Sequence, residues 1–397
     1  MSGRPSVPAG AGAGAMLSLI RQGRATTRAD LAALTGMARS TVAQRVQALI
    51  AGQLVYESEE GASTGGRPPR TFVFNQAAGV VLAADLGATH SRIAMTDLAG
   101  EVLAEHAEEL EIASGPENVL AWLRDAFDRL LDESGRTLGD VRGVGVGVPG
   151  PVEFATGRPV NPPIMPGWDN YPVSDELGDH YDAPVLVDND VNIMALGEHW
   201  SAWPLAEHLL YVKVGTGIGC GIVAGGEIHR GAEGAAGDIG HIRVTADESV
   251  VCRCGNVGCL EAVAGGRAIA MQLHDLGVDA ESSRGVVQQV RAGNPDSVRL
   301  VREAGRTLGD VLASVVNFFN PAVIVIGGDV AEAHEQLLAG VREVVYQRSL
   351  PLATRHLRVV RSSLGDRAGV TGAAVMVIEH VLSPEAVDRA LAAALEG

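Results

Sequence analysis

Four residues in the second half of the chain have the types and the spacing of a tetrahedral metal site. They are His241, Cys252, Cys254 and Cys259. Three thiolates and one imidazole are typical ligands of structural zinc, and together they leave no coordination position for water. The sequence therefore predicts a structural Zn²⁺ ion, with unmetallated buried cysteines as the alternative. Cys220 lies in an apolar segment and is predicted to belong to the core.

Two glycine-rich segments have the pattern of turns that approach a phosphate group. Each lies between two apolar runs, so both are predicted to be strand–turn–strand units. Backbone amides in such turns bind phosphate, and a neighbouring Asp can hold Mg²⁺ through water. One such turn is ordinary, but two in the same arrangement predict a two-lobed nucleotide cleft. The candidate phosphate-binding residues are Asp85, Gly87, Thr89, Gly215, Thr216, Gly217 and Gly219, with Gly327 and Gly328 after a later strand.

Two further polar residues follow an apolar strand. Asn189 and Asp190 come shortly after the run Val185–Val187. This position predicts that both side chains lie at the end of a strand and face the same cleft. The alternative for each is a polar side chain that only forms hydrogen bonds with the backbone of a turn.

The N-terminal segment has the pattern of a helical DNA reader. Apolar residues within Ala13–Gly23 predict a first short helix. Thr27, with Asp30 three residues later, is a capping-box signal for a second helix. Leu31 and Leu34 are predicted to face inward from that second helix.

A third helix, predicted at Arg39–Gly52, follows a short turn at Gly36, which completes a helix-turn-helix pattern. Its buried stripe is predicted to consist of Val42, Val46, Leu49 and Ile50. Short polar groups and guanidinium groups near the other face suit base edges and phosphates in a major groove. These candidate DNA contacts are Arg39, Ser40, Thr41, Gln44 and Arg45.

Two short strands after this helix predict a wing. Leu54–Tyr56 and Thr71–Phe74 are joined by a loop rich in Gly, Ser and Arg, whose Arg67 and Arg70 are candidates for DNA backbone or minor-groove contacts. The alternative is a small helical domain that mediates dimerisation and has a solvated basic face.

The charge distribution supports the first interpretation. The whole chain of 397 residues carries −17, but residues 1–74 contain eight Arg and only four acidic residues, so they carry +4 and the remainder −21. This split favours DNA contact at one end and argues against non-specific coating of nucleic acid. No apolar run is long enough to span a bilayer and no signal peptide is evident, so a cytoplasmic protein without a membrane partner is expected.

Taken together, these motifs resemble those of the ROK family (repressors, open reading frames and kinases) over residues 79–380. The resemblance is carried by the glycine turns, the segment Gly231–His241 (GAEGAAGDIGH) and the cysteine cluster. It implies an α/β fold in which a winged helix-turn-helix precedes a two-lobed, actin-like or hexokinase-like ATPase fold. The N-terminal segment is similar to that of the family's repressors, such as those that respond to xylose or N-acetylglucosamine.

The expected domain organisation follows from this resemblance. A disordered arm is expected at residues 1–12 and a winged helix-turn-helix DNA-binding domain at 13–75. The first actin-like lobe is expected at 79–192 and 372–397, and the second lobe, with the zinc site, at 193–371.

The resemblance also implies the roles of individual residues. In ROK kinases the residue at the position of Asp190 is the general base that takes the proton from the attacking sugar hydroxyl. Asp190 is thus the catalytic candidate if the chain is a kinase. The residues implied to hold ligand hydroxyls are Asn189, Asp190, Asp238, His241 and Glu261.

Several positions depart from the kinase pattern. In the first turn Ala88 replaces a glycine and His90 replaces a lysine, which argues against tight binding of ATP and Mg²⁺. Asp238 stands where a Glu is usual and is one methylene shorter. Ile164 replaces an Asn, so one wall of the implied sugar pocket loses a donor and an acceptor.

The expected function is therefore that of a ligand-responsive transcriptional regulator, a repressor that binds operator DNA and a sugar or sugar derivative. Helix-turn-helix proteins read paired half-sites, so a homodimer or homotetramer is expected. The alternative is an ATP-dependent sugar kinase with an added DNA-binding domain. A zinc-bridged scaffold explains neither the basic N-terminal segment nor the polar cleft.

Overall fold

The computed structural model describes residues 12–58, 70–333 and 335–396. The chain begins with three helices and a two-stranded antiparallel sheet, in the order predicted. These elements are α1 (Ala13–Arg21), α2 (Arg28–Thr35), α3 (Arg39–Ala51), β1 (Val55–Ser58) and β2 (Thr71–Phe74).

The start of α2 has the predicted capping box. The Thr27 side chain accepts from the Asp30 backbone N–H at 3.1 Å, and the Asp30 carboxylate accepts from the Thr27 N–H at 2.9 Å. Leu31 is fully buried, but the prediction for Leu34 was wrong, because it is 37% exposed. Thr35, one helical turn after Leu31, takes the inward position instead, and its hydroxyl donates to the Leu31 carbonyl at 2.6 Å.

A five-stranded mixed sheet follows, with strand order β5-β4-β3-β6-β9. The hairpin β3–β4 is antiparallel, whereas β3, β6 and β9 are parallel, so their carboxyl ends meet at one edge. Short strands β7 and β8 form a separate ribbon. The elements are β3 (Val80–Leu86), β4 (Ser91–Asp97), β5 (Val102–Glu108), α4 (Pro116–Glu133), β6 (Val141–Val148), β7 (Val152–Glu153), β8 (Arg158–Pro159), α5 (Val173–Tyr181), β9 (Val185–Asn189) and α6 (Asp190–Ala202).

A second five-stranded sheet repeats this topology, with strand order β12-β11-β10-β13-β14. Again the first hairpin, β10–β11, is antiparallel, and β10, β13 and β14 are parallel. The predicted pair of strand–turn–strand units is thereby confirmed. The elements are β10 (His208–Val214), β11 (Ile218–Ala224), β12 (Glu227–Ile228), α7 (Leu260–Ala264), α8 (Gly266–Asp275), α9 (Ser283–Arg291), α10 (Pro295–Phe319), β13 (Val323–Gly327), α11 (Glu335–Arg348), α12 (Pro351–Thr354), β14 (Arg358–Arg361), α13 (Ala368–Val381) and α14 (Pro384–Glu396).

Helices α6 and α13 pack closely beside the first sheet. A Cβ on Gly372 would lie 1.6 Å from the Ile193 carbonyl oxygen, and a Cβ on Gly197 would lie 2.3 Å from the Ala368 carbonyl oxygen. Only glycine allows the two backbones to approach to this distance. The contact therefore fixes α13 against the helix that begins at Asp190.

The N-terminal helices share one apolar core with α13 and α14. Met16 of α1 and Leu49 of α3 belong to the same buried cluster as Val377 and Val387. The Gly14 N–H also donates to the Asp388 carboxylate at 2.9 Å. The N-terminal segment is thus packed on the last two helices of the chain as well as on itself.

Within the described residues no single helix is both long and apolar enough to cross a membrane. The segments Gly365–Val381 and Pro384–Ala394 meet the length and composition criteria only as a pair, with a bend of 58° between them.

Candidate functional site

A cleft of about 1150 Å³ lies where the carboxyl ends of the parallel strands of both sheets meet. It brings together every predicted phosphate-binding residue with every predicted ligand-binding residue. Those lining it include Asp85, Gly87, Thr89, Asn189, Asp190, Gly215, Thr216, Gly217, Gly219, Asp238, His241, Glu261, Gly327 and Gly328. Residues separated by more than 200 positions in the chain thus form one polar concavity of the kind that holds a small ligand.

The predicted catalytic candidate, Asp190, forms an ion pair that the sequence reasoning missed. Its carboxylate is 2.5 Å from the Lys213 ammonium, and the two side chains are only 6% and 22% exposed. Burial alone lowers the pKa of Lys213, but the carboxylates of Asp190 and Asp85 outweigh it and raise that pKa. A sequence signal existed, since Lys213 is the one charged residue within the otherwise apolar run Leu209–Val214.

Asp85, at the end of β3, is buried beside this pair. Its Oδ1 atom has no hydrogen-bond partner among the described residues. A Cβ on Gly369 would lie 2.0 Å from its Oδ2, so the first turn of α13 packs directly on the carboxyl group. Burial raises the pKa of Asp85 to about 7, although the Lys213 ammonium acts in the opposite direction. Near neutral pH this carboxyl group therefore exists in both protonation states.

Asn189 is occupied by structural hydrogen bonds. Its side-chain oxygen accepts from the Val191 N–H at 3.0 Å and caps α6, while its amide donates to the Gly150 carbonyl at 2.9 Å. The neighbouring Asp188, which was not singled out from the sequence, is buried and ion-paired with Arg230 at 2.7 Å. The Arg230 guanidinium also lies 3.7 Å from the centre of the Phe154 ring.

Glu261 joins the ligand cleft to the cysteine cluster. One of its carboxylate oxygens lies 3.6 Å from the Cys252 sulfur, and the other accepts from the Ile218 N–H at 3.4 Å. A Cβ on Gly217 would lie 2.4 Å from that second oxygen, so this glycine packs directly against the end of the Glu261 side chain. Asp238, by contrast, is exposed at the cleft surface.

The four predicted metal ligands converge. Their ligand atoms all lie within 4.8 Å of one another. The Cys254 and Cys259 sulfurs are 3.8 Å apart, and the Cys252 sulfur is 3.6 Å from Nδ1 of His241. Tetrahedral bonds of about 2.3 Å to sulfur and about 2.0 Å to nitrogen require separations of about 3.8 and 3.6 Å. Two of the ligand separations thus match tetrahedral geometry, and the cluster could hold a metal ion.

The fourth cysteine has a different environment. Cys220 is buried in the core of the second sheet, as predicted. Burial raises the pKa of its thiol to about 12. It is therefore a neutral apolar side chain near neutral pH and lies outside the metal cluster.

The positions that depart from the kinase pattern also line the cleft. Ala88 and His90 lie in the β3–β4 turn, and burial lowers the pKa of His90. An imidazole in this environment supplies less positive charge for a phosphate than a lysine would. Ile164 is half-buried and packs against the core of the first sheet, so it adds an apolar surface to the cleft wall.

The predicted recognition face of α3 is only partly exposed. Arg39, Ser40 and Gln44 are exposed, whereas Thr41 and Arg45 are half-buried. The buried stripe follows the prediction at Val42, Val46 and Leu49, while Ile50 is half-buried. The free polar groups are therefore concentrated at the N-terminal end of the helix.

The predicted wing arginines have different outcomes. Arg67 lies outside the described residues. Arg70 is exposed at the start of the second strand, and its guanidinium is 2.7 Å from the Glu57 carboxylate on the facing strand. Glu57 also binds Arg28 at 2.7 Å, and these two hydrogen-bonded guanidinium groups lower its pKa. Arg28 and Arg70 are thus both engaged by one carboxylate, which the net charge of +4 for this segment already includes.

Comparison with known proteins gives consistent matches. Residues 81–380 match the ROK family. The xylose repressor of Caldicellulosiruptor bescii is 31% identical over 93% of this chain and 95% of its own length. The crystal structure of a ROK family transcriptional regulator, a homologue of the E. coli MLC protein, has a TM-score of 0.81 and 27% identity, covering 97% of this chain and 98% of its own.

A kinase relative matches a smaller share of the chain. The ROK family glucokinase from Streptomyces griseus, solved in complex with glucose and AMPPNP, has a TM-score of 0.64 and 29% identity. It covers 75% of this chain and 99% of its own. The regulators thus match nearly the whole chain, whereas the glucokinase matches a share about the size of the family domain.

The raised pKa of Asp85 predicts a pH-dependent effect of Asp85→Asn. Because the folded protein keeps this proton up to about pH 7 and the unfolded chain releases it near 3.8, wild-type stability falls as pH rises through that window. We expect the variant to gain stability relative to wild type between pH 5 and 8, on the order of 1–3 kcal/mol. Thermal unfolding at both pH values measures this difference.

The matched control is Asp366→Asn, which alters a carboxyl group at the rim of the same cleft whose side chain is 67% exposed. We expect little change in its relative stability over the same range. An Asp85→Asn advantage that is equal at both pH values, or larger at pH 5, would contradict the prediction.

Proposed function

Because the chain belongs to the ROK family, and because relatives named as regulators match it almost end to end, we propose that it is a sugar-responsive transcriptional repressor. The observation that carries this proposal is the unit of three helices and a hairpin that precedes the family domain. The glucokinase match covers only 75% of the chain, a share that the family domain accounts for by itself.

In this proposal the N-terminal unit is a winged helix-turn-helix reader of operator DNA. Helix α3 would enter the major groove with Arg39, Ser40 and Gln44 towards the bases and phosphates, since these three predicted contacts are exposed. The hairpin β1–β2 would be the wing. Two readers in a homodimer would bind two half-sites of a pseudopalindromic operator.

The cleft is proposed to hold a sugar or sugar derivative between two lobes. Asp190, Glu261 and His241 line the cleft and would supply hydroxyl-binding groups. Nδ1 of His241 faces the metal cluster, and its Nε2 has no hydrogen-bond partner among the described residues, so Nε2 could bind a ligand hydroxyl. A ligand that binds one arrangement of the two lobes more tightly than another shifts the population towards that arrangement. The shared core of α1, α13 and α14 would carry that change to the reader.

The His/Cys₃ cluster is proposed to hold a structural Zn²⁺ ion. Soft thiolates with one imidazole, at tetrahedral separations, favour zinc over Mg²⁺ or Ca²⁺. The ion would fix the start of α7, which carries Glu261, and would orient the His241 ring towards the cleft. It would have no direct part in catalysis, since all four ligands come from the protein.

The proposed role of α3 in DNA binding predicts that Arg39→Ala binds operator DNA more weakly. Genomic fragments selected by the wild-type protein provide the DNA, and affinity is measured at fixed salt concentration. Loss of this exposed guanidinium should weaken binding about tenfold or more, equivalent to about 1–3 kcal/mol. Arg299→Ala, which removes an exposed arginine on α10, is the control and should bind normally. Equal affinities for the two variants would show that α3 does not contact DNA.

The cleft predicts a ligand response that depends on Asp190. Pentoses, hexoses, N-acetylhexosamines and their phosphates are screened for a change in wild-type affinity for the selected DNA. Asp190→Asn should bind that DNA as wild type does but should lose the response to the active sugar. The same sugars with ATP and Mg²⁺ should give no turnover near the rates of about 1–100 s⁻¹ that kinases reach. Turnover at such rates would favour the alternative, a sugar kinase with an added DNA-binding domain.

The metal cluster predicts one zinc ion per chain in protein purified without chelator. Cys254→Ser should lower the zinc content well below one, since only two thiolates and one imidazole remain to bind the ion. Cys220→Ser, the control in the core of the second sheet, should keep one ion. Elemental analysis measures both, and an equal zinc content in the two variants would contradict the assignment.

A further inference from the structure

Three ionisable side chains that line the cleft lie close enough to interact electrostatically. Asp85 comes from the end of β3, Asp190 begins α6, and Lys213 comes from β10 of the second sheet. The Lys213 ammonium is 2.5 Å from the Asp190 carboxylate. All three side chains line the cleft, so a ligand or ion in the cleft would meet them together.

Asp85 has a buried oxygen that lacks a partner. The residue is 9% exposed, and its Oδ1 accepts no hydrogen bond from any described residue. A buried carboxylate oxygen of this kind needs a proton, a water molecule or a cation. The geometry of Asp85 alone would therefore suit a hydrated divalent cation, which binds proteins through one or two carboxylates.

Lys213 changes this conclusion. A divalent cation bridging Asp85 and Asp190 would have to share the Asp190 carboxylate with an ammonium group already in contact with it. The two cations would repel each other strongly, because charge interactions between buried side chains are stronger than in water. The residues present therefore do not fit a divalent cation held directly by both Asp85 and Asp190.

We propose that the Lys213 ammonium is a built-in cation that takes the place of a divalent metal ion between Asp85 and Asp190. The cleft then binds its ligand without Mg²⁺, and Asp190 is held as an ion-pair partner and not as a free base. This inference does not rest on DNA binding, so it can fail while the proposed regulatory function stands.

The test measures binding of Mn²⁺, a paramagnetic substitute for Mg²⁺, to zinc-loaded full-length protein by electron paramagnetic resonance. Wild type should bind no Mn²⁺ in the cleft at concentrations up to about 1 mM. Lys213→Met, which removes the ammonium and keeps an unbranched apolar side chain, should gain one site at least tenfold tighter. The double variant Lys213→Met, Asp85→Asn should lose that site again. Lys213→Arg, which keeps a cation, should behave as wild type.

A second measurement covers the case in which Lys213→Met does not fold. Wild type and Asp85→Asn are melted with MgCl₂ and with NaCl at equal ionic strength. The proposal predicts no Mg²⁺-specific shift of the melting temperature in either protein. A Mg²⁺-specific stabilisation of wild type that Asp85→Asn lacks would overturn the proposal, as would folded Lys213→Met that binds no more Mn²⁺ than wild type does.

Discussion

The close contact between α6 and α13 is the constraint on which the cleft depends. Gly197 and Gly372 let the two helix backbones touch, and no larger residue fits at either position. One consequence is that α6, whose first residue is Asp190, is held beside the strand ends of the first sheet. Another is that the first turn of α13 covers Asp85, so that carboxyl group is removed from water. The unusual charge group in the cleft is thus a result of backbone packing.

The same helix connects the cleft to the N-terminal unit. Helix α13 starts on Asp85 and ends next to α14, on which α1 packs through the Gly14–Asp388 hydrogen bond and a shared apolar core. Because α6 contacts both β11 of the second sheet and α13, a ligand that changed the angle between the two sheets would act on this core. The proposed reader is coupled to the cleft by a few rigid elements in contact, which is the physical basis required for a ligand to affect DNA binding.

Much of the fold could be predicted from the sequence because its signals are local. The capping box at Thr27 and Asp30, the two strand–turn–strand units and the cysteine spacing each depend on neighbouring residues, and the structure has all of them. Leu34 shows the limit, since an eight-residue helix leaves the choice between two inward positions to tertiary packing.

The sequence predicted which residues line the candidate site, but it did not predict the contacts that those residues make with one another. Asn189 and Gly217 belong to the cleft, yet their positions are explained by a helix cap and by contact with Glu261. Lys213 was overlooked because a single lysine in an apolar strand matches no motif. Its effect depends on carboxylates 23 and 128 positions away in the chain, and only the folded backbone brings them together.

The proposed charge balance in the cleft is not visible in the motif positions that this chain shares with the kinase pattern. Asp85 and Asp190 satisfy a kinase pattern whether the cation between them is a metal ion or an ammonium group. The two cases differ in the cation that contacts Asp190. The Lys213 ammonium is covalently attached to β10, so it cannot exchange with solvent as a metal ion can. In phosphoryl transfer the metal ions bridge the phosphate oxygens and neutralise the developing charge. In the proposal made above, the fixed Lys213 ammonium pairs with Asp190 and the cleft binds its ligand without such an ion.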